Sequence, residues 1–139
     1  LPFGLKRWLL SHIKFELALV GGDAPLLRGQ LAQQRAAAKA AHGALTCDYL
    51  DAQTRAGVVL KDQALVTEAL DLVLKGACVP HANLGIQQAK ARATAIKAFT
   101  ARGEDAKAKA LRGTFWAAWP NADESLSLVT WAKRLEAAP

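Results

Sequence analysis

With 139 residues, 52% of them apolar and only 6% aromatic, the chain can bury one sizeable core but not two comfortable ones, so a single domain over 1–139 is expected. Alanine supplies much of the apolar content, which suits helices in close contact and argues against a β-sandwich. The net charge of +6 favours acidic partners such as nucleic acid, an anionic membrane surface or an acidic protein face, while two cysteines are too few for a disulfide framework.

The first helix is predicted from Leu5 to Val20. Leu5, Leu9, Ile13, Leu17 and Val20 form one stripe at helical spacing, and Trp8, Phe15 and Leu19 add a second apolar face. A helix apolar on two sides either sits between neighbours or covers a surface that another part of the chain meets. Lys6, Arg7, His12, Lys14 and Glu16 interrupt the segment, which therefore lacks the roughly 18 uncharged residues of a membrane span and the layout of a secretory signal. A soluble, cytoplasmic chain is expected. The absence of Met and the start at Leu1 suggest a processed chain or a piece of a longer one.

Gly21-Gly22 ends that helix, Asp23 caps the next, and Pro25 fits its first turn. The second helix reaches Ala41 with Leu27, Leu31, Ala38 and Ala41 inside. Gln30, Gln33, Gln34, Arg35 and Lys39 face water or a partner. Thr46 or Asp48 caps a third helix to Leu60, with Leu50, Thr54, Gly57 and Val58 inward. After a tight turn at Lys61-Asp62, Asp62 caps a fourth helix that ends near Gly76 and buries Leu65, Ala69, Leu72 and Val73. Val79-Pro80 breaks the pattern.

A fifth helix is expected over Ala82–Arg102, burying Ile86, Ala89, Ala93, Ile96 and Phe99. A sixth, capped by Asp105, carries Ala108, Leu111, Phe115, Ala118 and Trp119 inside and ends at Pro120. Asp123 opens a last helix through Leu128, Trp131, Ala132 and Leu135. Asp23, Asp62 and Asp105 lie 39 and 43 residues apart, a spacing of about 40 that suits stacked helical arrays. The fold class is therefore all-α: antiparallel helical hairpins stacked as a short array of about seven helices.

The stretch Gly103-Glu104-Asp105-Ala106-Lys107-Ala108, with Leu111, Phe115 and Pro120, resembles the second half of a tetratricopeptide repeat (TPR). Gly22-Asp23, and Asp62 with Ala69 and Leu72, look like weaker copies. The period is nearer 40 than the family's 34, and the first helices lack its Trp and Tyr positions. The longer variant repeats in sensor regions of large bacterial regulators match more closely. The resemblance implies a scaffold that presents a concave or edge surface to a protein or peptide.

His42, Cys47, Cys78 and His81 belong to turns at one end of such a stack, so they could converge as a tetrahedral zinc site. A Cys47–Cys78 disulfide is a second alternative, and plain buried thiols are the expected state. Basic residues gather at Lys90, Arg92, Lys97, Arg102, Lys107, Lys109 and Arg112, a possible phosphate-binding face that reads first as a solvated surface because no aromatics interleave it. Phe115, Trp116, Trp119 and Trp131 concentrate the aromatic mass near the end, leaving Trp116 as the indole most open to a partner.

No histidine lies near an evident nucleophile, and no phosphate loop, His-Glu-x-x-His run or calcium loop is present. No cofactor is expected. The sequence reading is a non-catalytic protein- or peptide-binding scaffold or regulatory domain, anchored by Trp8 or Trp116 and oriented by Arg28, Arg35, Lys97 and Lys107. The alternatives are a basic nucleic-acid-binding domain or a structural subunit of a larger assembly.

Overall fold

The computed structural model describes residues 3–79 and 85–118 together with Thr130, Lys133 and Arg134. Among the described residues six helices pack against one another: α1 (Phe3–Gly21), α2 (Ala24–His42), α3 (Cys47–Val59), α4 (Gln63–Leu74), α5 (Gly85–Ala101) and α6 (Asp105–Ala118). Of the expected last helix, Thr130, Lys133 and Arg134 are described, all three in helical conformation. His81, Trp119, Pro120 and Trp131 lie outside the described residues, as do the side chains of Ile86, Trp116 and Ala118.

The turns follow from local chemistry. Gly22 takes a φ of 66° and lets the amide of Asp23 return to Ala18 O at 3.0 Å, which closes α1. Asp23 Oδ1 then accepts from Leu26 N at 3.1 Å, Thr46 Oγ1 from Tyr49 N at 3.2 Å and Asp62 Oδ1 from Leu65 N at 3.2 Å. Each side chain satisfies one of the amides that a helix start leaves unpaired. Asp105 departs from expectation. It is the first residue of α6, and the carbonyl of Glu104 receives the amides of Lys107 and Ala108, so Glu104 occupies the cap position.

Consecutive helices form antiparallel pairs, α1/α2, α3/α4 and α5/α6, of which the last two pack most extensively, and α3 also lies along α5. The α3/α4 pair is close because residue 57 is glycine. A Cβ there would stand 2.7 Å from Val66 Cγ2 and 3.1 Å from Val66 N, nearer than real Cβ contacts come. α3 is consequently enclosed on nearly every side, with Leu50, Ala52, Gln53, Thr54 and Ala56 all buried. α5 is similarly enclosed, its Ala89, Ala91, Ala93, Ala95 and Ala98 allowing neighbours near on all sides.

The expected inner faces hold with small rotations. Leu27, Leu31 and Ala38 are buried on α2 but Ala41 is exposed, because the core ends one turn before the helix does. Val58 is also exposed, since the α3/α4 contact runs through Gly57 and Ala56. On α4, Val66 and Leu70 join Ala69 and Val73 inside, leaving Leu65 and Leu72 half-buried. The largest difference is α1. It docks through Phe15 and Ala18, while its long aliphatic stripe faces away from the domain.

The turn after α2 and the turn after α4 meet at one end. Cys47 and Cys78 are joined in a disulfide with Cα atoms 4.8 Å apart. Beside it Cys47 N donates to Val79 O at 3.1 Å and Val79 N to Leu45 O at 3.0 Å, making an isolated parallel bridge between Thr46 and Val79. Neither thiol is free, so the expectation of buried free thiols is corrected. The zinc alternative fails for the same reason. Cysteine ligates zinc as the thiolate, and these two sulfurs are bonded to each other. Among the described residues no cluster of three or more His, Cys, Asp or Glu side chains is arranged to hold a metal ion.

Candidate functional site

α1, α3 and α5, the first helices of the three pairs, line a groove of about 610 Å³ whose back wall is α2. Ala38 and Ala41 of α2 and Ala52 of α3 lie along it. Where a larger side chain would fill the space, alanine leaves it open. Trp8 stands on the rim, 60% exposed and stacked on His12 with ring centroids 5.5 Å apart and planes 4° from parallel. An aromatic ring supported by a second ring loses little freedom on binding and offers a large apolar surface.

A ladder of alternating charge crosses the groove. His12 Nε2 lies 4.0 Å from Glu16 Oε1, and Glu16 is gripped by Arg55 through Nη1 to Oε1 at 2.7 Å and Nη2 to Oε2 at 2.5 Å. Arg55 Nη1 also approaches Asp51 Oδ2 at 3.8 Å, and Lys90 Nζ stands 3.6 Å from the same oxygen. Asp51 is almost fully buried, with 5% of its side chain exposed, and Thr94 Oγ1 donates to its Oδ1 at 2.5 Å. Three helices are thus tied by one chain of polar contacts. Two-pronged arginine contacts fix geometry as well as charge.

The fork from Arg55 is the main reason that the Glu16 carboxyl is held below its ordinary range, with burial acting in the opposite direction. A second fork lies on the α2/α4 side. Arg35 donates to Glu68 at 3.0 and 2.7 Å, and the fully buried Gln53 donates from Nε2 to Glu68 Oε2 at 2.8 Å and to Leu65 O at 3.0 Å. The Arg35 fork is again the leading cause that depresses Glu68, and burial pushes the Tyr49 phenol up.

Both carboxylates therefore release their protons more readily folded than unfolded. Their contribution to stability is complete above the ordinary glutamate range and drains away as the pH falls through the depressed folded values. The midpoint of urea unfolding is expected to hold from neutrality to about pH 5 and to drop below about pH 4.3. A Glu16→Gln, Glu68→Gln double variant, already missing these charges, should lose less of its midpoint over that acid range than the parent does. Equal losses would contradict the assignment.

The structure separates the residues singled out in the sequence. Trp8 is open on the groove rim. Arg28 is paired with Asp62 at 3.0 Å, Arg35 with Glu68, and Lys107 with Glu104 at 2.6 Å while its ammonium sits 5.4 Å from the centre of the Phe99 ring. Lys97 also takes part in an intramolecular interaction. Within the basic cluster, Lys90 faces Asp51, Arg92 donates to Thr114 O at 3.2 Å, and Arg102 meets Glu104 at 2.8 Å and Thr67 Oγ1 at 3.1 Å. Arg112 likewise has an internal contact, and Lys109 is exposed. His42 borders the groove. Glu16, Asp51, Arg55 and Thr94 were not picked out from the sequence.

No family model, curated protein or solved structure matches the chain.

Proposed function

We propose that this chain is a non-catalytic helical scaffold that holds a short extended segment of another protein in the groove across α1, α3 and α5. The observation that carries this reading is the juxtaposition of an open, alanine-lined groove with the supported ring of Trp8 on its rim. Trp8 supplies the apolar anchor of this reading. Arg28, Arg35 and Lys107 act in this reading as internal braces. The charge ladder also disfavours catalysis. Glu16 is kept ionised by Arg55 and makes a poor general acid, whereas proton transfer calls for a group near its own pKa at working pH.

The nucleic-acid reading draws less support, because most of the Lys90 to Arg112 cations are engaged with groups of their own chain. The disulfide supports work in an oxidising compartment over the cytoplasm expected from the sequence. Among the described residues no helix is long and apolar enough to cross a membrane.

Selection from a displayed library of random peptides provides the test. Enriched peptides are expected to bind the parent chain and to lose about tenfold or more in affinity to Trp8→Ala, with modest dependence on salt. Failure to enrich any sequence, or peptides that bind Trp8→Ala as well as the parent, would overturn the reading.

A further inference from the structure

The outward side of α1 is unlike the rest of the surface. Phe15 and Ala18 are each 3% exposed and face the domain. At 3.6 residues per turn, Leu5, Leu9, Leu10, Ile13, Leu17 and Val20 fall on the opposite side. Each is at least 39% exposed, and Val20 reaches 89%. This ridge runs over four turns, with Lys6 standing among its aliphatic side chains and, around the helix axis, the Arg55-bound Glu16 between Leu5 and Leu9.

Its border toward α2 carries charge of one sign. Lys6, Arg7 and Lys14 line a cavity of about 400 Å³ between α1 and α2, together with Leu10, Gln30 and Gln33 and no acidic side chain. The only acidic residue of α1 is Glu16, already neutralised by the Arg55 fork. The helix therefore offers uncompensated positive charge beside its apolar ridge, on a chain whose net charge is +6.

We propose that this face of α1 docks onto an anionic lipid bilayer, lying in the plane of the interface with the aliphatic ridge in the acyl boundary and Lys6, Arg7 and Lys14 among the lipid phosphates. A helix with an apolar ridge and a lysine and arginine border has the layout of interfacial membrane helices. Negative surface potential attracts each such cation. A protein partner fits the ridge less well. Binding hot spots between proteins are rich in Trp, Tyr and Arg and poor in Leu and Val, and they occupy pockets, whereas this surface is a protruding rod of Leu, Ile and Val. Trp8 belongs to the groove side of the helix, so the bilayer face and the peptide groove are distinct surfaces and can be tested separately.

Co-sedimentation with vesicles of phosphatidylcholine, with and without about 30% phosphatidylglycerol, checks the proposal on the full chain. The parent should bind the anionic vesicles at least about tenfold more tightly than the neutral ones, and high salt should release it. A Leu9→Ser, Ile13→Ser, Leu17→Ser variant and a Lys6→Gln, Arg7→Gln, Lys14→Gln variant should each lose about tenfold or more, with far-ultraviolet circular dichroism unchanged because all six positions are outside the core. Several results would overturn the proposal. They are no binding to either vesicle, equal binding to both, retention of full binding by the serine variant, or a concentration-dependent dimer that the serine substitutions abolish without any vesicle binding. The last would assign the ridge to a second copy of the chain.

Discussion

Phe99→Ala should lower the free energy of unfolding by about 3–5 kcal/mol, seen as a lower urea midpoint with an unchanged slope. Phe99 is 1% exposed and belongs to α5, a helix whose other buried apolar side chains are Ile96 and alanines. The alanines of α5 have no reach into the space vacated by the ring, and the cost rises the less a site can collapse. The ring also carries the Lys107 ammonium on its face, a contact that disappears with it. Val58→Ala is the matched control. Val58 is exposed, and a change there should remain within about 0.5 kcal/mol. A Phe99→Ala variant as stable as Val58→Ala would mean that α5 does not sit in the core as described.

Loss of the Cys47–Cys78 bond is the second large effect. The cysteines are 31 residues apart in sequence and enclose the whole α3/α4 pair. Closing a loop of that size removes unfolded-state freedom worth about 3.5 kcal/mol. Cys47→Ala, Cys78→Ala should therefore melt on the order of 10 °C lower than the parent, and reductant should lower the parent toward the variant without affecting the variant itself. A parent whose melting point ignores reductant would contradict the bridge. The hydrogen bonds between Cys47, Val79 and Leu45 are local and remain available, so the native turn geometry should survive in the variant.

The six described helices and, Asp105 apart, the punctuation between them were legible in the sequence because they depend on local chemistry. Gly22, Asp23, Thr46 and Asp62 act through their own backbone or through an amide three residues away, and pattern alone locates them. Burial was legible where one face is clearly apolar, as at Leu27, Leu31, Ile96 and Phe99. It was misread at Val58 and Ala41, where packing is decided by how near a neighbour can come. Gly57 shows why: its contribution is the absence of a side chain, which a search for apolar stripes counts as nothing.

The polar contacts were harder to anticipate. Arg35 and Arg28 looked like free surface cations because their partners, Glu68 and Asp62, are 33 and 34 residues away. A usable signal did exist for the groove. Glu16 and Arg55 are 39 residues apart and Asp51 and Thr94 are 43 apart, the same two intervals that separate Asp23, Asp62 and Asp105. Each of these two pairs lies at equal distances from two successive members of that aspartate series. The pairing of the cysteines had no such signal, since two turns brought to one end are compatible with thiols, a metal or a bond.

The modest anchoring of α1 has a dynamic consequence. Its attachment rests on Phe15 and Ala18 and the Glu16–Arg55 fork, whereas α3 is enclosed by neighbours and closed into a covalent ring with α4. Stability should accordingly grade along the chain, with the opening helix detaching at a small fraction of the global unfolding cost and the centre releasing its amide protons last. A segment that swings away cheaply can search for a surface while the rest of the fold stays intact.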